Sequence, residues 1–204
     1  MGRIITLLLL LTLIATGSYA LFGTQEHLDK GADGVANNNV SSTGKALIGG
    51  DFRLTDTQKT VRTDKDFLGQ YTLVFFGFTQ CPDVCPTTLT TISSVMDEMN
   101  DSAEQITPIF ITIDPDRDSP DVMKEYLQAF HPSVVGLTGS HKEIKQAVKA
   151  YKVYTQYGKQ DKHAAYEVMH SGYVYFMNNK GEYITHFSHD DSVEKIVSVI
   201  RQHI

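Results

Sequence analysis

Both cysteines of the 204-residue chain lie in one octapeptide, Thr79-Gln80-Cys81-Pro82-Asp83-Val84-Cys85-Pro86. Thiols this close can form a disulfide that exchanges with another, or they can converge as thiolates on one soft ion, Cu(I) above all. Reactive disulfides of thioredoxin-like enzymes have two residues between the cysteines, whereas here there are three. The wider bite leans towards metal and leaves the disulfide open. A purely structural bridge is a poor use of the pair, because linking residues this near removes little entropy from the unfolded chain. Two cysteines are also too few for a four-thiolate zinc ribbon.

A dithiolate needs at least one further ligand to hold a d-block metal tightly, so the eight histidines become relevant. His27 lies in a polar, glycine-rich stretch, and His141 and His203 fall on predicted helices, where histidines are usually solvated. His170, in Tyr166-Glu167-Val168-Met169-His170-Ser171, stands at the start of a predicted strand late in the sheet. From there its ring can face the end of an earlier strand across a loop. The competing reading is a core histidine bonded to backbone.

The elements that must position these groups follow from hydrophobic pattern. Residues 52–55 and 60–62 read as a hairpin around Asp56-Thr57-Gln58-Lys59, and the unbroken apolar run Tyr71 to Thr79 reads as a central strand buried on both faces. Helical spacing marks Leu89 to Met99, Val122 to Phe130, Ile144 to Tyr151 and Val193 to Ile200. Further strands are expected at Ile106 to Ile113, Val134 to Leu137, Gly172 to Met177 and Tyr183 to Phe187, with a bulge or strand edge at Pro108 and a turn at Asn178-Asn179-Lys180-Gly181. Alternation of this kind predicts an α/β fold, a mixed sheet with helices on both faces. The strand-to-helix connection then puts both sulfurs at the carboxyl end of the sheet, beside a helix N-terminus whose dipole favours thiolate. Pro86 cannot sit deep in a helix, so either it opens the main helix or Pro82 opens a separate turn, leaving Cys81 to Cys85 as an exposed turn.

The rest of the chain sets the compartment. Residues 1–22 carry Arg3 followed by an uncharged apolar run, the pattern of a signal peptide or membrane anchor, which places the remainder of the chain on the outer side of a membrane. Residues 23–45 read as a flexible tether, and residues 46–204 as one domain. The net charge is −6, with no block of basic residues, so nucleic-acid binding is excluded on electrostatic grounds.

Taken together, TQCPDVCP at a strand end, ITIDPDRDSP after the next strand, and YEVMHS before a strand–turn–strand and final helix resemble the Sco/SenC family of thioredoxin-like copper proteins. The likeness runs from about Ile48 to the end of the chain. It implies a thioredoxin-like three-layer α/β/α fold with an N-terminal β-hairpin and an inserted hairpin, and a site for copper, Cu(I) or Cu(II), made by Cys81, Cys85 and His170. It also implies work on the dinuclear copper site of cytochrome c oxidase subunit II: delivering copper, or reducing the cysteines that will bind it. Other copper carriers or thiol reductants would be further partners, and the periplasm the compartment. One departure stands out: the family usually has Asp before the ligand histidine, and this chain has Met169. Loss of a carboxylate there would alter affinity or redox poise, or the methionine sulfur would assist Cu(I).

The alternative function is an exported thiol–disulfide oxidoreductase in which Cys81 attacks a target disulfide and Cys85 resolves it, with no need of histidine. A thiol peroxidase, with a single selectively reactive cysteine, is a third reading. The Asp114 to Pro120 segment reads either as a turn and helix cap with an Arg–carboxylate pair or as a docking element.

Overall fold

The computed structural model describes residues 47–158 and 168–204. The expected leader (1–22), the tether (23–45), His27 and His163 lie outside the described residues. Among the described residues no helix is long and apolar enough to cross a membrane.

In chain order the elements are β1 (Arg53–Asp56), β2 (Val61–Thr63), β3 (Tyr71–Gly77), α1 (Val84–Met99), β4 (Ile106–Thr112), α2 (Pro120–Leu127), β5 (Val135–Thr138), α3 (His141–Ala150), β6 (Thr155–Tyr157), β7 (Val168–His170), β8 (Tyr173–Met177), β9 (Tyr183–Ser188) and α4 (Val193–Ile200). Seven strands form one sheet in the order β2-β1-β5-β4-β3-β8-β9, and β6 and β7 form a separate ribbon inserted between α3 and β8. The three central strands β5, β4 and β3 run parallel and their outer neighbours antiparallel.

The apolar run that makes β3 is buried because it has a strand on each side and helices over both faces. Alternation along β3 sends its side chains to opposite faces. Gly77 lies against Cys85 of α1 and Phe75 against Phe110, while Phe76 packs on Tyr151 at the end of α3. Pro108 causes no bulge: it sits in register opposite Leu73, and β5 joins β4 only from Ile109 onward, leaving a local edge where the missing N–H is tolerated.

Helix α1 is rich in threonine and serine, yet its inner face is buried. Its threonine and serine hydroxyls donate back to carbonyls one turn earlier, as Thr88 Oγ1 does to Val84 O (2.7 Å) and Ser93 Oγ to Leu89 O (2.8 Å). The helix starts at Val84, with Pro86 in its first turn. Neither expected arrangement of the prolines holds, because the first N–H groups of a helix have no intrahelical acceptor and Pro86 loses nothing there. Helix α2 begins with Pro120 behind a Ser119 cap, and α3 with a Ser140–Glu143 capping box.

Candidate copper site

The turn after β3 and the first turn of α1 carry the two cysteines, and the end of β7 carries His170. The expectation of an exposed Cys81–Cys85 turn is corrected. Cys81 is half-buried, but Cys85, the second residue of α1, is 0% exposed. Its sulfur lies so close to β3 that a Cβ on Gly77 would come within 2.8 Å of it. Both cysteines are free thiols.

Burial also overturns the expectation that the helix dipole would leave Cys85 as thiolate. Loss of solvent pushes its thiol far above the usual range, and a hydrogen bond from the Phe78 backbone offsets only part of this. Burial thus favours the protonated thiol at Cys85. Cys81 is placed differently: its Sγ accepts the Cys85 backbone N–H at 3.4 Å, so the positive end of α1 is directed at the outer sulfur.

His170 closes on the inner sulfur. Its Nε2 lies 3.6 Å from Cys85 Sγ across 85 positions of sequence. Nδ1 lies 3.1 Å from the Ser171 carbonyl, which can only accept, so the proton sits on Nδ1 and the Nε2 lone pair faces Cys85. Phe75 and Phe78 pack against the imidazole, each at 6.1 Å between ring centroids. Burial holds its pKa below the ordinary histidine value, which keeps Nε2 available as a donor.

His170 was expected at the start of the strand that is now β8. It ends β7 instead, a strand absent from the sequence reading because three residues of mixed polarity carry no periodic signal. Its place in an alternating strand also fixes Met169. That side chain is exposed and points away from the His170 ring, so the methionine sulfur does not face the cysteines.

Among the described residues no three His, Cys, Asp or Glu side chains are gathered tightly enough to hold an ion as they stand. Cys85 and His170 are paired, and the Cys81 sulfur lies beside them at the Cys85 amide. Two thiolates and one imidazole are a soft donor set that suits Cu(I) and accommodates Cu(II). Three residues that the sequence reading did not single out complete the site: Phe75 and Phe78, whose rings meet His170, and Gly77, whose lack of a side chain makes room for Cys85. A glycine ending an apolar strand is the signal from which a close approach could have been read.

Residues 40–204 match the SCO1/SenC family model. The chain belongs to the SCO1/SenC family. It is 36% identical to the human mitochondrial SCO1 homolog over 192 residues, covering 93% of this chain and 64% of that longer protein. The copper-bound structure of Bradyrhizobium japonicum ScoI is 38% identical, covers 77% of this chain and 99% of its own, and superposes with a TM-score of 0.72. At 19% identity and a TM-score of 0.63, BsSco, described as a member of the Sco family of cytochrome c oxidase assembly proteins, shares the fold, with 78% of this chain and 96% of its own covered. The fold is the thioredoxin-like one of these SCO1/SenC proteins, and the β6–β7 ribbon is a two-stranded insertion into it, for which the sequence reading assigned no position.

Proposed function

We propose that this protein is a copper carrier and thiol reductant for assembly of the dinuclear copper site of cytochrome c oxidase subunit II, with Cys81, Cys85 and His170 as copper ligands. The observation that carries the reading is the 3.6 Å approach of His170 Nε2 to Cys85 Sγ, with the ring's other nitrogen committed to a carbonyl. Metal-binding histidines donate their other ring N–H to a carbonyl or carboxylate, as this one does to Ser171, while its free lone pair faces a thiol.

Copper is the cargo. Its binding displaces the thiol protons, of which burial makes the Cys85 one costly to remove in its absence. Three ligands leave a coordination position open, so a thiolate or imidazole of the acceptor enters, a bond to the carrier breaks, and the ion passes without release to water. Oxidation of both thiols to a disulfide, with two electrons and two protons passing to a disulfide of the acceptor that is reduced to two thiols, consumes two of the ligands. Redox state therefore gates loading. Residues 1–22 would anchor the domain through residues 23–45 on the outer, periplasmic side of a membrane, with residues 46–204 as the working domain.

One observation favours the oxidoreductase reading: Cys81 is the accessible sulfur and accepts a helix N-terminal N–H, as an attacking thiolate should. In that reaction Cys81 sulfur attacks a target disulfide, one target sulfur leaves, and Cys85 then displaces the mixed disulfide, moving two electrons to the target. His170→Ala separates the two. The carrier reading expects copper affinity to fall by more than about 100-fold, beyond the usual cost of losing a supporting group, with disulfide-reductase turnover retained. Unchanged copper affinity would overturn it.

A further inference from the structure

The segment Asp114 to Pro120 has no part in the copper chemistry so far, yet two of its side chains reach the cysteine turn. Asp118 is 0% exposed. Its carboxylate accepts the Thr79 backbone N–H (3.0 Å), the Thr79 hydroxyl (2.6 Å) and the Thr112 hydroxyl (2.6 Å), and its own carbonyl accepts the Thr138 hydroxyl (2.8 Å). Burying a carboxylate is expensive, and joining β3 to β4 does not require one, since the two strands pair along their whole length. What the carboxylate adds is a hold on Thr79, the second residue before Cys81.

Arg117 holds the outer side of the same turn. It pairs with Asp114, donates from Nη1 to Gln80 Oε1 (3.2 Å), and lies over the Phe78 ring with its guanidinium carbon 5.8 Å from the centroid. Phe78 meets His170 edge-on. The segment thus touches both residues that lead into Cys81 and the ring that supports His170.

We infer that Asp118 is a positioning residue of the site: it clamps Thr79 and so fixes the backbone from which the Cys81 sulfur is presented to the Cys85–His170 pair. The consequence for copper rests on the function proposed above; the effect on Cys81 does not. The clamp works through hydrogen bonds, so asparagine should replace aspartate. An amide oxygen takes the Thr79 N–H, and its NH2 donates to a threonine hydroxyl, which can accept as well as donate. Alanine instead leaves a backbone N–H and two hydroxyls without their partner.

The test compares wild type, Asp118→Asn, Asp118→Ala and Thr79→Val as full-length protein in its reduced, metal-free form. The rate of Cys81 with an aromatic disulfide reagent and the Cys81/Cys85 reduction potential against glutathione are read first, then Cu(I) affinity against a chromogenic chelator. Asp118→Ala is expected to speed the Cys81 reaction and weaken copper binding, each by about tenfold, the scale of losing a supporting hydrogen bond around a ligand, with the reduction potential displaced. Asp118→Asn should stay close to wild type, and Thr79→Val, which loses the hydroxyl alone, should move the same way as alanine by less. Wild-type thiol rates in Asp118→Ala, or an asparagine variant as impaired as the alanine one, would overturn the inference. Should Asp118→Ala not fold, a Thr79→Val protein indistinguishable from wild type does so instead. If thiol rates shift as expected while wild type itself binds no copper, the clamp stands and the copper reading falls.

Discussion

At the scale of single residues, the decisive relation is between Cys85 and the glycine beneath it. Any side chain at Gly77 would meet Cys85 Sγ at 2.8 Å and Phe110 Cε2 at 2.7 Å, both fully buried and unable to give way. Gly77→Ala is therefore expected to destabilise the fold by about 1–3 kcal/mol, the cost of overpacking a dense core, and to push the sulfur off the Nε2 line of His170. Urea unfolding reads the first effect and copper affinity the second. A variant that kept wild-type values of both would show that the contact is dispensable. The same density explains why Cys85 and Cys81 differ in chemistry despite sharing one turn. The inner sulfur has lost solvent and holds its proton, while the outer one keeps solvent contact and gains a helix N–H.

At the scale of elements, the long apolar strands were legible because a run such as Tyr71 to Gly77 can only be accommodated at the centre of a sheet, and the final amphipathic helix because Val193, Ile196, Val197 and Ile200 share one face. Cys81 and Cys85 were legible as a site from their isolation in the sequence. The ribbon that delivers His170 was not, since β6 and β7 are three residues each and draw their order from pairing with one another. Nor could spacing reveal that Cys85 is interior, because nothing local distinguishes an exposed helix start from one pressed onto a strand by a glycine. Helix starts elsewhere were better signposted. In α3, Ser140 Oγ and N donate to Glu143 Oε2 at 2.6 and 2.8 Å, and these bonds, chiefly the hydroxyl one, hold the Glu143 carboxyl below the ordinary glutamate range. A carboxylate whose pKa is depressed by folding adds stability that is full above its unfolded pKa and is lost as pH falls through the folded one. Ser140→Ala should cost about 1 kcal/mol near neutral pH. Glu143→Gln should flatten the acid limb of the stability curve, compared by denaturant midpoints at about pH 7 and about pH 3. An unchanged acid limb in that variant would show that the capping box contributes nothing to acid sensitivity.

At the scale of the whole molecule, the proposed ligands come from two parts of the chain that meet only when the sheet is complete. Cys81 and Cys85 follow β3, whereas His170 belongs to the ribbon entering β8, and β3 and β8 are neighbours in the sheet. Such a site does not exist in the unfolded state, so copper that uses all three donors must stabilise the fold. At a free copper concentration 100 times the dissociation constant the gain is about 2.7 kcal/mol, less whatever the unfolded thiols bind. A disulfide between Cys81 and Cys85 should abolish that gain, because it consumes both sulfurs and leaves one imidazole. By itself the disulfide adds little, since it closes a loop too short to restrict the unfolded chain. Thermal unfolding of reduced and oxidised protein, each with and without buffered Cu(I), is expected to show a copper-dependent rise in the reduced protein alone, and His170→Ala should lose most of that rise while keeping the wild-type midpoint of the reduced metal-free form to within the effect of the substitution. An oxidised protein stabilised by copper as strongly as the reduced one would mean that the ion is held elsewhere, and that the pairing of a buried thiol with a distant imidazole serves the fold instead of the metal.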